Sequence, residues 1–139
     1  MKITVVEPLG IGKEQFETLR AEFKTKGCDF EYYMDRNETP DIIAQRIGDA
    51  NIVVISNIRL SADTMSKCPN LKMLSVAFTG LDHIDLDYCR ANNIEVFFTE
   101  GNKGYIITNN DIPGNWNEDK DYFYPIPTRD RLLTNGVIT

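Results

Sequence analysis

The stretch Ile52-Val53-Val54-Ile55 is apolar at every position and is followed at once by the polar pair Ser56-Asn57. A run of this length is too short for a helix and is typical of a β-strand that is buried on both faces. Strands of that kind occur in parallel sheets, because crossover helices cover both faces of such a sheet. The stretch therefore predicts an α/β fold built on a parallel sheet.

Similar short runs recur on both sides of this stretch, at intervals that leave room for helices. Strands are predicted at five places, which are residues 3–6, 30–33, 52–55, 71–77 and 94–97. The helices between them begin at residue types that favour a helix N-terminus, namely Gly12, Thr39, Ser61 and Asp85. Because strands and helices alternate, we predict a flavodoxin-like, doubly wound, parallel five-stranded sheet.

The character of the chain changes after Phe97. Residues 101–139 contain six asparagines, as many as the first hundred residues. Hydrophobic periodicity fades there, apart from Tyr105–Thr108, and proline and glycine segments typical of turns follow. We therefore expect an irregular tail over residues 101–139, either foreign to the fold or partly disordered.

Composition limits the classes of partner. The formal net charge of −6 and the isoelectric point of about 4.7 argue against a nucleic-acid partner, which needs a basic face. No run approaches the roughly 18 apolar residues that cross a bilayer, and the first residues do not resemble a secretory signal. Three widely spaced cysteines without a Cys-x-x-Cys pair indicate reduced, packed thiols. The expectation is a cytoplasmic protein without a membrane partner.

Two neighbouring stretches carry a specific resemblance to a known family. They are Val53-Val54-Ile55-Ser56-Asn57-Ile58-Arg59-Leu60-Ser61-Ala62-Asp63 and Asn70-Leu71-Lys72-Met73-Leu74-Ser75-Val76-Ala77-Phe78-Thr79-Gly80-Leu81-Asp82-His83-Ile84-Asp85. With the rest of residues 1–97, they resemble the amino-terminal domain of the D-isomer-specific 2-hydroxyacid dehydrogenases. The resemblance implies an oxidoreductase of 2-hydroxy acids that uses NAD(P), with residues 1–100 as its flavodoxin-like substrate-side domain.

The resemblance also implies where the substrate binds. The loops after the third and fourth strands would face a cleft between two domains, and backbone amides near Thr79 and Gly80 would hold the substrate carboxylate. The substrate-binding residues implied in this way are Asn57, Ile58, Arg59, Phe78, Thr79 and Gly80. Ligands of open α/β sheets do bind beyond the carboxyl ends of strands, and glycine lets the backbone approach an anion. The alternative is that Gly80 serves only a turn and Arg59 is a solvated charge.

The groups that transfer hydride are missing from this pattern. In the family, a Rossmann domain supplies the dinucleotide site together with an arginine, a glutamate and a histidine. After Glu100 no Gly-x-Gly-x-x-Gly follows, and His83, the single histidine, stands at a non-catalytic position of the motif. Since hydride transfer needs a nicotinamide and a placed acid–base group, we expect a truncated dehydrogenase that is inactive alone, with no catalytic residue of its own.

The expected ligands and partners follow from the same resemblance. The ligand is a small 2-hydroxy or 2-oxo acid, and NAD(P) is implied for the family but is not expected to bind this chain alone. The protein partners that the resemblance suggests are a second copy of the chain or a complementing Rossmann domain. The alternative function is a non-catalytic module that binds a small carboxylate or a partner protein.

Part of the tail resembles a different family. Trp116–Arg131 is similar to the carboxy-terminal stretch of the SusD-like outer-membrane glycan-binding lipoproteins, over about 35 residues in all. The rest of that family's pattern is missing, so no function is transferred from it. The juxtaposition suggests a chimeric or disrupted reading frame.

Three other patterns have simpler structural explanations than a binding site. Gly10-Ile11-Gly12-Lys13-Glu14-Gln15 lies where a dinucleotide fingerprint would lie, but Gln15 replaces its third glycine. The Asp82, His83 and Asp85 group is a weak metal candidate, since such close neighbours rarely face one ion. A phosphoacceptor receiver would need an aspartate where Ser56 and Asn57 stand. We therefore expect a plain helix start at residue 12 and a satisfied turn histidine at residue 83.

Overall fold

The computed structural model describes residues 1–78, 80–100, 103–107 and 124–126. Its elements alternate as predicted over the first hundred residues. They are β1 (Lys2–Val5), α1 (Lys13–Thr25), β2 (Asp29–Tyr32), α2 (Pro40–Ile47), β3 (Ile52–Ile55), α3 (Ala62–Ser66), β4 (Met73–Val76), α4 (Leu86–Ala91), β5 (Glu95–Glu100), β6 (Lys103–Ile107) and β7 (Tyr124–Ile126).

The first five strands are parallel and lie in the order β2-β1-β3-β4-β5. This is the flavodoxin-like order, in which the direction of winding reverses between β1 and β3. The predicted five-stranded parallel sheet is therefore confirmed. The strand bounds move by up to three residues, as at β5, where residues 94–97 were predicted and Glu95–Glu100 are observed.

The sheet separates two apolar clusters, because successive side chains of a strand point to opposite faces. Along β3, Val53 and Ile55 belong to one cluster and Ile52 belongs to the other. The first face, called here the three-helix face, is covered by side chains from α2, α3 and α4 that include Ile43, Ile47, Met65 and Cys89. The second, the α1 face, is covered by α1 through Phe16, with Leu19 and Phe23 packed beside it.

The helix starts show which caps the sequence predicts correctly. The Ser61 hydroxyl accepts a hydrogen bond from the Thr64 amide at 3.3 Å, and the Asp85 carboxylate accepts one from the Tyr88 amide at 3.0 Å. Thr39 occupies the N-cap of α2, but its hydroxyl makes no capping bond. The Asn37 side chain instead accepts from the Thr39 amide at 2.9 Å, so the preceding turn is held by Asn37. None of the described helices has the length and apolar content of a membrane span.

Two short segments of the tail, which was expected to be irregular, pair with the sheet. β6 pairs antiparallel with β5, with Phe97 opposite Ile106, and β7 pairs antiparallel with β6, with Pro125 opposite Tyr105. Without β6, the edge of β5 would have unpaired backbone groups. An aromatic and β-branched segment such as 105–107 pairs readily with such an edge. Proline lacks a donor and is tolerated in an edge strand such as β7. The rest of the tail, with its resemblance to lipoproteins, lies outside the described residues.

Candidate functional site

The segments that follow β3 and β4 lie side by side at the carboxyl edge of the sheet. The Ser56 hydroxyl donates to the Ala77 carbonyl at 3.4 Å. Further along, the Leu60 amide donates to the His83 carbonyl at 2.8 Å, and the Asp85 amide donates to the Leu60 carbonyl at 3.2 Å. These bonds bring the two predicted loops together, so the residues between them share one surface.

Residues 57–60 after β3 alternate between exposed and buried positions. Asn57 and Arg59 are exposed, whereas the side chains of Ile58 and Leu60 are fully buried in the three-helix face. Of the predicted site residues in this segment, Ile58 therefore offers no side-chain surface to a ligand. Asn57 and Arg59 present theirs to solvent.

The charge of Arg59 is not matched by a carboxylate within the described part of the chain. Two other arginines show the contrast, since Arg36 binds Glu7 at 2.9 Å and Arg46 binds Asp35 at 2.6 Å. Arg59 makes no ion pair with any described residue. An exposed guanidinium without an internal partner can take an external anion in two parallel hydrogen bonds.

The Asn57 side chain is oriented by a neighbouring cation. Its Oδ1 accepts from the Arg36 guanidinium at 2.5 Å. A guanidinium can only donate, so the oxygen of this amide must face it and the NH2 group must face away. Asn57 can therefore offer two N–H donors to a ligand.

The segment after β4 adds an aromatic ring and a bare backbone. Phe78 is 42% exposed, and its ring meets the His83 imidazole edge to face, with centroids 5.7 Å apart. Gly80 does not occupy the left-handed region, and a Cβ built on it would lie 4.0 Å from the Phe78 ring, an ordinary contact. The described neighbours thus leave room for a side chain at this position. Thr79 lies outside the described residues.

His83 differs from the expected satisfied turn residue. Burial lowers the pKa of its imidazole, against the opposing effects of a hydrogen bond to the Ser56 backbone and the charges of Glu7 and Asp82. Its Nε2 is buried and has no hydrogen-bond partner among the described residues. The ring is therefore held neutral at neutral pH and helps to connect the two loops.

The residue that sequence reasoning missed is Glu7, the second residue after β1. Its carboxylate is fully buried, and one oxygen accepts from the amides of Ser56 and Ile58, each at 3.0 Å. The other oxygen accepts from Arg36. The signal in the sequence is an acid directly after the predicted strand 3–6, at the carboxyl edge of the sheet.

The described residues do not form a dinucleotide site at the β1–α1 turn. The Gln15 side chain folds back and accepts from the Gly12 amide at 2.7 Å, so the donor that a phosphate would use is already occupied. The described residues also contain no group of three potential metal ligands. The three cysteines are buried, and burial raises the pKa of Cys89 to about 12, so that thiol is a poor nucleophile.

Comparison with known proteins identifies the family of the chain. The family model of the catalytic domain of the D-isomer specific 2-hydroxyacid dehydrogenases matches residues 3–103. The chain belongs to this family. It is 38% identical over 58 residues to a glycerate dehydrogenase of Methylorubrum extorquens, covering 42% of this chain and 18% of that one. It is 31% identical over 64 residues to a hydroxypyruvate reductase of Blautia hydrogenotrophica, covering 45% of this chain and 20% of the relative.

Solved structures share the same fold. A Polaromonas protein described as a D-isomer specific 2-hydroxyacid dehydrogenase superimposes with a TM-score of 0.60 at 26% identity, over 72% of this chain and 30% of that chain. An NAD+-bound 3-phosphoglycerate dehydrogenase of Entamoeba histolytica gives 0.61 at 22% identity, over 71% of this chain and 32% of its own. The chain therefore spans about a third or less of these relatives.

Proposed function

We propose that this chain is the substrate-side lobe of a D-2-hydroxyacid dehydrogenase and binds the carboxylate of a small 2-hydroxy or 2-oxo acid between the segments after β3 and β4. The observation that carries the proposal is the unmatched guanidinium of Arg59 on the segment after β3, which hydrogen bonds from Ser56 and Leu60 hold against the segment after β4. Loops at the carboxyl edge of an open α/β sheet are the usual place for such a ligand.

The contacts that we assign to the ligand use groups with no other described partner. Arg59 pairs with the carboxylate, the Asn57 NH2 group donates to it or to the neighbouring 2-oxygen, and amides near Thr79 and Gly80 complete the cradle. Phe78 closes one side with its ring. A charge-assisted hydrogen bond contributes about 1.5–3 kcal/mol, so Arg59 should account for roughly a tenfold to hundredfold change in affinity.

The hydride step is assigned to groups outside the substrate-side domain of residues 1–100. Reduction of a 2-oxo acid needs a bound nicotinamide and a proton donor at the new hydroxyl oxygen. Within the described residues, His83 is the sole histidine, and its buried Nε2 gives it no exposed acid function. We infer that this polypeptide alone does not catalyse the reduction of a 2-oxo acid, and that NAD(P) is held by a Rossmann domain elsewhere in the protein or in a partner.

A cytoplasmic location, testable by cell fractionation, belongs to the same proposal.

Binding and turnover are tested separately on the 139-residue chain. Calorimetry with glyoxylate, pyruvate and 3-phosphoglycerate should give saturable binding of at least one acid. Arg59→Gln should weaken it by about tenfold or more. Lys72→Gln, which removes the same charge from an exposed position just before β4, should leave it unchanged. Absence of binding by all three acids would overturn the proposal.

The activity assay distinguishes the substrate-side lobe of a dehydrogenase from a non-catalytic binding module. With NADH and the same acids, the chain alone should show no oxidation above background, and addition of a family Rossmann domain should restore it. Turnover by the chain alone would refute the division of labour. Binding that no added Rossmann domain converts into turnover would favour the alternative, a non-catalytic carboxylate binder.

A further inference from the structure

We propose that Glu7 is the positioning residue of the substrate segment 56–59, acting through Ser56 and Ile58 and together with Arg36. The predicted effect of Glu7 on ligand binding rests on the proposed function. Its predicted effect on the backbone of residues 56–59 can be tested without any ligand. Nothing in the family match or in the implied substrate-binding residues assigns a role to this position.

One carboxylate oxygen holds two alternate amides of the segment. Oε2 of Glu7 accepts from the Ser56 amide and from the Ile58 amide, both at 3.0 Å. The next alternate amide, that of Leu60, donates to the His83 carbonyl at 2.8 Å. The inward amides of the segment are therefore all satisfied by fixed acceptors.

The amides between them are left available. Neither the Asn57 amide nor the Arg59 amide has an acceptor among the described residues. Both belong to residues whose side chains are exposed, whereas Ile58 and Leu60 are buried. By taking every second amide, Glu7 leaves the other donors of this segment for an anion, in the same way that short backbone nests bind anions.

The charge of Glu7 is balanced on the side that faces away from these amides. Its Oε1 accepts from Nη1 of Arg36 at 2.9 Å, and the same nitrogen donates to Oδ1 of Asn57. Arg36 also binds Glu38 at 2.8 Å. Glu7 and Arg36 together thus fix the backbone of residues 56–58 and the direction of the Asn57 side-chain amide.

Glutamine at position 7 separates charge from shape. Glu7→Gln keeps the side-chain length and one acceptor oxygen, but its NH2 group only donates, so the side chain can no longer accept both from Arg36 and from the two amides. Glu22→Gln, on the exposed surface of α1, is the matched control because it removes the same charge from a site without a side-chain contact to this segment.

The first measurement is amide hydrogen exchange in the ligand-free chain. Glu7→Gln should accelerate exchange of the Ser56 and Ile58 amides by about tenfold or more, while the core amides of Val54 and Leu74 keep their protection. The Glu22→Gln variant should match the parent at all four. Unchanged exchange at residues 56 and 58, or equal acceleration of all four amides, would overturn the inference.

The second measurement is the affinity for glyoxylate, at a temperature where hydrogen exchange shows the variant to be folded. Glu7→Gln should weaken binding by about tenfold. Arg36→Lys, which keeps the charge but loses the planar fork, should weaken it less. If the parent chain binds no acid, the proposed function fails while the exchange result still decides the role of Glu7. If the parent binds and the folded Glu7→Gln variant binds equally well, the positioning role is refuted.

Discussion

The two faces of the sheet are covered very differently. The three-helix face receives side chains from α2, α3 and α4, and its cluster continues to Ile58 and Leu60 beneath the candidate site. The α1 face receives one helix in the described part of the chain, and a cavity of about 160 Å³ remains between α1 and the sheet. The cavity reaches Val54 on β3 and Ser75 on β4, where the apolar lining is only half-buried.

The difference concerns the support of the proposed substrate segment, residues 56–59. This segment is anchored on the well-filled face, through the buried side chain of Ile58 and through Glu7. Close packing transmits small displacements, whereas a lining that faces a void loses contacts on one side. We therefore expect changes on the three-helix face to affect stability more strongly than equivalent changes on the α1 face.

The largest expected effect comes from a matched pair of neighbours on β4. Leu74 is fully buried in the three-helix face, and Met73, at 1% exposure, lies on the α1 face beside the cavity. Leu74→Ala should lower the free energy of unfolding by about 2–5 kcal/mol, and Met73→Ala should lower it by about 2 kcal/mol or less. Urea denaturation measures both. Equal losses, or a larger loss for Met73→Ala, would remove the distinction between the faces.

A smaller effect of opposite sign should come from filling the cavity. Ser75→Val places a β-branched apolar side chain into the void from a strand position that suits it, and should raise the free energy of unfolding by about 0.5–1 kcal/mol. Ser75→Ala removes the hydroxyl without filling the space and serves as the control. If valine and alanine have the same effect at position 75, the cavity does not limit stability.

The smallest expected effect is a pH dependence of the free energy of unfolding that arises from His83, in the segment between β4 and α4. Because its pKa is lowered in the folded state, the unfolded chain binds a proton first as the pH falls below the ordinary value of 6.5. Stability should therefore decrease as the pH falls through that value, and the decrease should end once the folded-state pKa is passed.

The test of this dependence uses the fact that the chain has one histidine. Thermal unfolding between about pH 5.5 and 8 should show the slope in the parent and lose it in His83→Gln. The single imidazole signal in proton NMR should titrate below the ordinary value. A titration at or above 6.5 would mean that burial does not control this ring.

Periodicity and spacing were sufficient to predict the parallel sheet, and the resemblance to the family implied that the two loops lie at one cleft. The apolar run at β3 and the caps at Ser61 and Asp85 are local features that tertiary contacts reinforce. The placement of Ile58 was not predictable in detail, because a single residue between two exposed ones gives no periodic signal. Glu7 and Arg36 meet across 29 positions of sequence, and only the fold brings such a pair together. The strands β6 and β7 depend on the free edge of β5, which the sequence does not identify.

The most direct test of the central claim is a titration of the isotopically labelled chain with glyoxylate, followed by amide proton–nitrogen NMR. The account predicts saturable shifts at Asn57, Arg59 and Gly80, with no comparable shift at Val54 or Ser75 beside the cavity of the α1 face. Gly80→Ala should keep the spectrum of the folded core and weaken these shifts. Saturable shifts confined to the cavity, or none at residues 57, 59 and 80, would contradict the account.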